Sequence, residues 1–361
     1  MIYSIGAFLI LSLWIGATPS QGKEVTISNV IPRTDQNGAI LDAHDSSMLY
    51  LNGLYYWYAA SYGNCTEPVG PSGCANGFNG CGFQENHNVS LYTSPDLVTW
   101  TNEGVVFQTE PNTPDGTVVF APKTVYNPTT KEFILWYNYI LNKQFQYSYY
   151  GVARSVDPKG PFEVINPGVD TLAYLDVGDE GLFVDDDGTA YLIYTGNIVE
   201  PTGQANHILS VEQLTPNYYK SMGKAANSGN IGHGEAPMMF KRNGIYYIVF
   251  GGGCCYCSAG SIVTAHTANH PLGPYTLSNV TFGNLTSQST AIFPYIDDNQ
   301  ETQWMYVGDR WQSAPDHVKG HDFTVFSPII FSEDGLSVTT KDFQDNFTIS
   351  LAVQNADMAT E

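Results

Sequence analysis

Basic residues are scarce in this sequence of 361 residues, which has 14 Lys and Arg against 35 Asp and Glu. The resulting formal net charge is −21 at pH 7. Nucleic acids and anionic membranes are unfavourable partners for such a chain, because proteins bind both through clustered cations. A neutral polymer or a basic ligand is compatible with this charge, and the sequence does not indicate an oligomeric state.

Long hydrophobic runs are also lacking. The longest is at residues 8–17, and Thr18-Pro19-Ser20 follows it. This run has the length of a signal-peptide core and is too short to span a bilayer. We therefore predict a signal peptide at 1–22 and a secreted, extracellular protein. Five glycosylation acceptor patterns agree with export; they begin at Asn64, Asn88, Asn279, Asn284 and Asn346.

Cysteine is limited to six residues in two groups of three, which are Cys65, Cys74 and Cys81, then Cys254, Cys255 and Cys257. An exported chain favours disulfides over a Cys-Cys-x-Cys metal site, which is the alternative. Full oxidation requires at least one bond between the groups, because each group can close only one bond internally. The pairing is left open, but the two loops are expected to meet in space.

Helical periodicity is nearly absent, whereas Gly numbers 35 and Tyr numbers 24, as is typical of β-rich chains with tight turns. A turn followed by an aromatic strand recurs at 52–58, 130–137, 187–194, 243–250 and 301–306. Turns at Lys131, Gly188 and Gly244 are 57 and 56 residues apart, a period that fits four-stranded blades. We predict an all-β, five-bladed β-propeller at 23–350, with a Cys-rich loop at 61–88 in blade 1 and a tail at 351–361.

Three acids precede these turns at similar distances: Asp45 by 8 residues, Asp179 by 9 and Glu235 by 9. Equal offsets in different blades place side chains near the propeller axis. Taken singly, each acid can be a turn or cap acceptor. Taken together, they suit inverting glycoside hydrolysis, in which a base and an acid lie about 6.5–9.5 Å apart, and a third acid raises the pKa of the proton donor.

Three segments carry a resemblance to a known family: 45–48 running into Tyr55-Tyr56, 179–188, and 235–240 followed by 243–247. They resemble glycoside hydrolase family 43 over most of the mature chain. The resemblance implies that Asp45 is the general base, that Asp179 tunes and orients the acid, and that Glu235 is the general acid.

Within that family, the segments 43–45, 235–237, 287–290 and 308–311 are similar to the exo-β-1,3-galactanase branch. By this resemblance Gln288 faces the sugar near the water. Further candidates for substrate binding are His44, Tyr256, Arg310 and Trp311. A packed histidine and core aromatic rings are the structural alternatives for these positions.

Two departures from that branch bear on the substrate. The branch has glycine at the position of Asp45, and Glu-Arg-Pro-Lys where this chain has Phe120-Ala121-Pro122-Lys123. Asp45 restores the base of the wider family, whereas Phe120 removes a carboxylate. We therefore expect hydrolysis of β-1,3-galactan or of a related arabinose or xylose polysaccharide, with a non-catalytic sugar-binding propeller as the alternative. No cofactor is expected, and no run of ligands demands the axial calcium that this family sometimes carries.

Overall fold

The structure is a computed structural model that describes residues 22–67, 81–85, 87–141, 144–171, 176–199, 205–226, 231–252 and 256–352. Residues 1–21 of the predicted signal peptide lie outside these ranges, as do Cys74, Cys254, Cys255 and residues 353–361 of the predicted tail. Within the described ranges, no helix has the length and apolarity that a membrane crossing requires.

Strand β1 (Lys23–Ser28) precedes five antiparallel sheets that follow one another along the chain. Blade 1 consists of β2 (His44–Leu51), β3 (Leu54–Ala60), β4 (Val89–Ser94) and β5 (Thr101–Phe107). Blade 2 consists of β6 (Val118–Asn127), β7 (Glu132–Leu141), β8 (Gln144–Ser155) and β9 (Glu163–Val169). Blade 3 consists of β10 (Val177–Val184), β11 (Ala190–Val199), β12 (Ala205–Leu214) and β13 (Ser221–Ala226).

Blade 4 consists of β14 (Glu235–Arg242), β15 (Ile245–Gly251), β16 (Val263–Ala268) and β17 (Thr276–Thr281). Blade 5 has three strands, β18 (Gln288–Ile296), β19 (Thr302–Arg310) and β20 (Phe323–Pro328). A small hairpin of β21 (Ile330–Phe331) and β22 (Val338–Thr339) precedes β23 (Asn346–Leu351). Helical structure in the described residues is confined to α1 (Thr109–Asn112) and to 3₁₀ turns at Cys81–Phe83 and Lys319–His321.

The turns of the recurring segment join the first two strands of each blade. In blade 1, Asn52 and Gly53 both have positive φ, at 51° and 80°, and in blade 4 Asn243 and Gly244 have 52° and 79°. Two successive positive φ angles define the type I′ turn, which Asn-Gly adopts with little strain. The repeat therefore corresponds to the inner hairpin of every blade, as the sequence predicts.

The first strands of the blades, β2, β6, β10, β14 and β18, are neighbours in that cyclic order and surround the axis. Apolar clusters fill the spaces between adjacent blades, and Trp57 and Trp136 are buried in two of them. β1 pairs with β23, and Val25 and Ile349 pack into the cluster shared by blades 5 and 1. The ring is thus closed by the two ends of the described chain, and the predicted five-bladed propeller is confirmed.

Candidate active site

Every inner strand has a break in its pairing register near its first residues. The breaks lie between His44 and Ser47, Phe120 and Lys123, Val177 and Glu180, Glu235 and Met238, and Ser289 and Ala291. An irregularity of this kind leaves residues unpaired and turns their side chains in new directions. Asp45 and Asp179 lie within such breaks, and Glu235 begins one. The three predicted acids therefore belong to one level of the ring.

The three acids nevertheless occupy different positions within their breaks. Glu235 lies three residues before the resumed pairing, Asp45 two residues before it and Asp179 one residue before it. The backbone turns sharply here, since Asp45 and Ala236 both have φ of 50°. Counting residues back from the turns correctly places the three acids at the start of the inner strands. It does not show that they occupy different positions within the register breaks.

Asp45 is held by groups from three parts of the chain. The Tyr62 hydroxyl donates a hydrogen bond to Asp45 Oδ2, and the Asp45 backbone N–H donates to Asp309 Oδ2 at 2.8 Å. Burial and the charge of Asp309 raise the pKa of Asp45 to about 6, against the opposing effects of Tyr62 and Lys123. Asp45 is therefore ionised above about pH 6, as a general base requires.

Asp179 interacts electrostatically with both other acids. Burial, then the charges of Glu235 and Asp45, raise the pKa of Asp179 to about 7, while Lys123 and His207 oppose the rise. Mutual repulsion of this kind appears when carboxylates share one site. The structure therefore brings the three predicted acids together.

Glu235 has a partner that the sequence does not reveal. His207, on β12 of the neighbouring blade, places Nδ1 2.9 Å from Glu235 Oε1, and both side chains are partly exposed. His233, which stands two residues before Glu235 in the sequence, is exposed. His207 belongs to a third strand and shares no repeated offset with the acids, so its position depends on the packing of blade 3 against blade 4.

Lys123 lies at the axis beneath the acids. Its buried ammonium donates hydrogen bonds to the carbonyl oxygens of Asp45, Ser46 and Thr290 at 3.2, 2.7 and 2.8 Å. Carbonyl oxygens are also the ligands that calcium prefers. Because an ammonium already engages them, these residues do not fit a calcium ion at this point of the axis. The described residues also contain no group of three or more His, Cys, Asp or Glu able to hold a metal.

Replacing Lys123 with Met is expected to lower stability and to move the acid limb of the pH–rate profile upward. Each buried carbonyl that loses its donor costs about 1–3 kcal/mol. The charge of Lys123 lowers the pKa of Asp45, so its loss leaves the base protonated to higher pH. Denaturant unfolding and kcat/KM against pH measure the two effects. Lys159→Met, which removes an exposed ion pair with Glu103, is the control; equal unfolding midpoints in the two variants would contradict the axial role of Lys123.

An aromatic wall formed by Tyr62, Tyr256 and Trp311 stands beside Asp45. Lys319 packs against it, with Nζ 3.6 Å from the ring centroid of Trp311 and 4.3 Å from that of Tyr256. Lys319 is buried and lies 3.2 Å from Glu67. These contacts pack Tyr256 and Trp311 against Tyr62, the ring that donates to Asp45.

The two cysteine-containing loops meet at this wall, as the sequence predicts. The Tyr256 hydroxyl donates to the Gly82 carbonyl at 3.0 Å, and a Cβ on Gly82 would lie 2.3 Å from the Tyr256 ring. Cys65 is bonded to Cys81, and Cys257 is also in a disulfide. A bond between the two groups stays a prediction, because Cys74, Cys254 and Cys255 lie outside the described residues.

The residues predicted to bind substrate have diverse surroundings. His44 is fully buried; burial lowers its pKa, but the hydrogen bond with Asp309 at 3.4 Å and the charge of that residue raise it to about 9. Trp311 Nε1 donates to Gln288 Oε1 at 2.8 Å, which leaves the amide NH₂ of Gln288 as the group able to donate to a ligand.

Arg310 packs its guanidinium over the Phe343 ring at 4.6 Å, and Tyr256 and Trp311 are almost completely buried. Burial of these two rings is compatible with the structural alternative of core aromatics. Contact of His44, Gln288, Tyr256, Arg310 and Trp311 with a sugar stays a prediction.

Phe120 stands at the first position of the break in blade 2, the position that Glu235 has in blade 4. It is buried and packs edge-on against Phe83 and His87, with centroid distances of 6.1 and 5.8 Å. The carboxylate missing from this position is thus replaced by an apolar contact with the Cys-rich loop. The site retains its other three acids.

Neighbouring acids have structural roles. Asp185 and Asp187 belong to the turn of blade 3, where the Asp187 carboxylate accepts the Thr189 N–H at 2.8 Å and Asp185 lies 2.6 Å from Lys241. Glu180 is completely buried, and its pKa is raised well above the ordinary value, first by burial, while Lys123 opposes the rise. The charge of Asp45 acts on both Glu180 and Asp179, and that of Glu235 is a further cause of the raised pKa of Asp179.

Comparison with known proteins agrees with this arrangement. Residues 39–337 match the model for glycosyl hydrolases family 43. The chain belongs to glycoside hydrolase family 43. As a member of that family, it is a glycosidase.

Individual relatives share 21–27% of their residues with this chain. A β-D-galactofuranosidase from Aspergillus niger is 27% identical over 279 residues, which cover 70% of this chain and 74% of the relative. A solved family 43 β-1,3-galactosidase has a TM-score of 0.71 and 24% identity, and the match covers 90% of this chain but 64% of the other. An exo-β-1,3-galactanase from Phanerochaete chrysosporium, solved with β-1,3-galactotriose, has a TM-score of 0.67 and 21% identity, covering 91% and 71%. These structural likenesses show the fold.

Proposed function

We propose that this family 43 protein is an inverting, exo-acting hydrolase of β-1,3-linked galactan. The observation that carries the proposal is the placement of Asp45, Asp179 and Glu235 at one level of the ring, where their charges interact. Asp45 is the base, Glu235 is the acid, and Asp179 tunes and orients the acid.

The reaction requires two proton movements on opposite faces of the sugar. Asp45 removes a proton from a water molecule, which attacks the anomeric carbon, while Glu235 delivers a proton to the departing glycosidic oxygen. The Tyr62 hydroxyl fixes the orientation of the Asp45 carboxylate. Asp179 interacts electrostatically with Glu235, as a residue that tunes and orients the acid must do.

The sugar specificity rests on the galactanase-like segments and on relatives with galactosidase names. The relative from Aspergillus niger is named for galactofuranose, and an arabinose- or xylose-containing polymer is the further candidate. Incubation of the purified protein with β-1,3-galactan, a galactofuranoside, arabinan and xylan tests these substrates directly. Release of galactose from the first alone supports the proposal; release from another substrate alone overturns the choice of sugar. Saccharide binding without hydrolysis of any substrate favours the sugar-binding alternative.

The stereochemical course is tested by proton NMR of the product at early times, before mutarotation. Inversion at a β-linkage gives the α-anomer first. An initial β-anomer shows retention, which removes Asp45 from the role of base toward water and requires it to act differently.

We further propose that the protein is exported and glycosylated. Among the acceptor positions, Asn64, Asn284 and Asn346 are exposed, so a glycan on each would extend into solvent. Expression of the full chain in a eukaryotic secretory host is expected to give protein in the medium whose mass falls after enzymatic removal of N-glycans. An intracellular protein of unmodified mass is the contrary result.

A further inference from the structure

His207 and Glu235 form a pair whose geometry is set by backbone contacts between blades 3 and 4. The Gly234 N–H donates to the His207 carbonyl oxygen at 3.0 Å, and Ile208 forms a backbone bridge with His233. These contacts attach the start of β14 to the edge of β12. The imidazole and the carboxylate therefore face each other at 2.9 Å because the strands that carry them are joined immediately beside them.

Acids on β14, on β10 and just before β10 act electrostatically on His207. Glu235 approaches from β14, while Asp179 on β10 and Asp176 just before β10 face the ring at longer range. The close contact between His207 Nδ1 and the Glu235 carboxylate raises the pKa of His207 above its ordinary value, burial opposes this rise, and the charges of Glu235, Asp179 and Asp176 add to it. The pair consequently retains one proton to higher pH than a carboxyl group alone.

We infer that His207 is the proton store of Glu235, a positioning residue that keeps the acid supplied with its proton at neutral pH. The inference rests on the proposed function. In the resting site the proton lies on the imidazole. When a glycoside binds, Nδ1 passes the proton to Glu235 Oε1, and the carboxyl group gives it to the leaving oxygen. Asp45 meanwhile takes one proton from water and releases it to solvent, from which His207 is reprotonated, so that one water is consumed for each bond cleaved.

This role predicts a specific change in the pH dependence of hydrolysis. Asn at position 207 retains an N–H near the position of Nδ1 but does not titrate. In His207→Asn, the alkaline limb of kcat/KM is expected to move down by about one to two pH units, as the ordinary pKa values of imidazole and carboxyl groups differ by about two. The rate at the acidic end is expected to change little. The matched control is His233→Asn, at an exposed histidine outside the pair.

A second substrate separates proton supply from structural support. An aryl glycoside with a nitrophenyl leaving group needs little protonation, so His207→Asn is expected to retain most of its activity on it while losing activity on the oligosaccharide at pH 8. Equal losses on both substrates, or an unmoved alkaline limb, would overturn the inference.

Direct titration makes failure of this inference distinguishable from failure of the proposed function. NMR of the histidine C–H signals against pH is expected to show two imidazoles with a pKa above the ordinary value, those of His44 and His207. The His207 signal is the one whose pKa falls in Glu235→Gln. If His207 titrates in this way but the protein has no hydrolase activity, the proposed hydrolase function is overturned, and the proton-delivery step with it. Hydrolysis in a protein whose His207 titrates normally overturns only the role of His207.

Discussion

Glu235→Gln is expected to lower turnover of unactivated galactosides by about 10²-fold or more, the usual contribution of a general acid. The amide has nearly the shape of the carboxyl group and can still contact His207, so the site should keep its geometry. It cannot transfer a proton to the departing oxygen. Initial rates on a β-1,3-linked oligosaccharide, together with a nitrophenyl glycoside, measure the loss.

The two substrates give this variant a diagnostic pattern. The nitrophenyl glycoside is expected to be cleaved at a rate much closer to that of the unsubstituted protein, because its leaving group departs without protonation. Glu301→Gln, in an exposed turn of blade 5, is the matched control and should be unaffected on both substrates. Full activity of Glu235→Gln on the oligosaccharide would exclude this residue as the acid.

The architecture is predictable from the sequence because the turn chemistry repeats. Asn-Gly or Asp-Gly between aromatic strands specifies a hairpin wherever it occurs, and a nearly constant spacing indicates equivalent blades. Details that depend on single contacts do not repeat. The closure by β1 and β23, for example, follows from burial of Val25 and Ile349 between blades 5 and 1 and has no sequence motif.

Some residues of the candidate site could be predicted from the sequence and others could not. Asp45, Asp179 and Glu235 share an offset that the fold converts into proximity, although the register breaks displace them relative to one another. Tyr62 and His207 share no such offset. Tyr62 follows β3 and packs against the rings of Tyr256 and Trp311. His207 reaches Glu235 from a different blade, so tertiary packing alone brings both residues to the acids.

The pKa of Asp45, a residue predicted from the sequence, depends on residues that the sequence does not reveal. Asp309 raises the pKa of Asp45, whereas Tyr62 and Lys123 lower it. A base that is too weakly basic accepts a proton poorly, and one that is too basic stays protonated at the working pH. The surroundings that the sequence does not reveal therefore decide at which pH the predicted base can work.

Asp45→Asn is expected to reduce hydrolysis by about 10²–10⁴-fold, because an amide cannot take the proton from water. The Asn side-chain oxygen can still accept the Tyr62 hydrogen bond, so the fold should be preserved. In the unsubstituted protein, the rate should decline as pH falls through about 6, where burial and the charge of Asp309 place the pKa of Asp45; below that pH the base is protonated. The residual activity of Asp45→Asn should lack this acid limb.

Azide separates loss of the base from general damage to the site. As an anion, it attacks the anomeric carbon without needing a base, so azide is expected to restore cleavage by Asp45→Asn and to give the α-glycosyl azide from a β-linked substrate. Asp115→Asn, at an exposed position, is expected to behave like the unsubstituted protein in the same assay. A β-glycosyl azide would mean that the attack takes place on the face of the leaving group, and Asp45 would then not be the base, since an inverting base must lie on the opposite face.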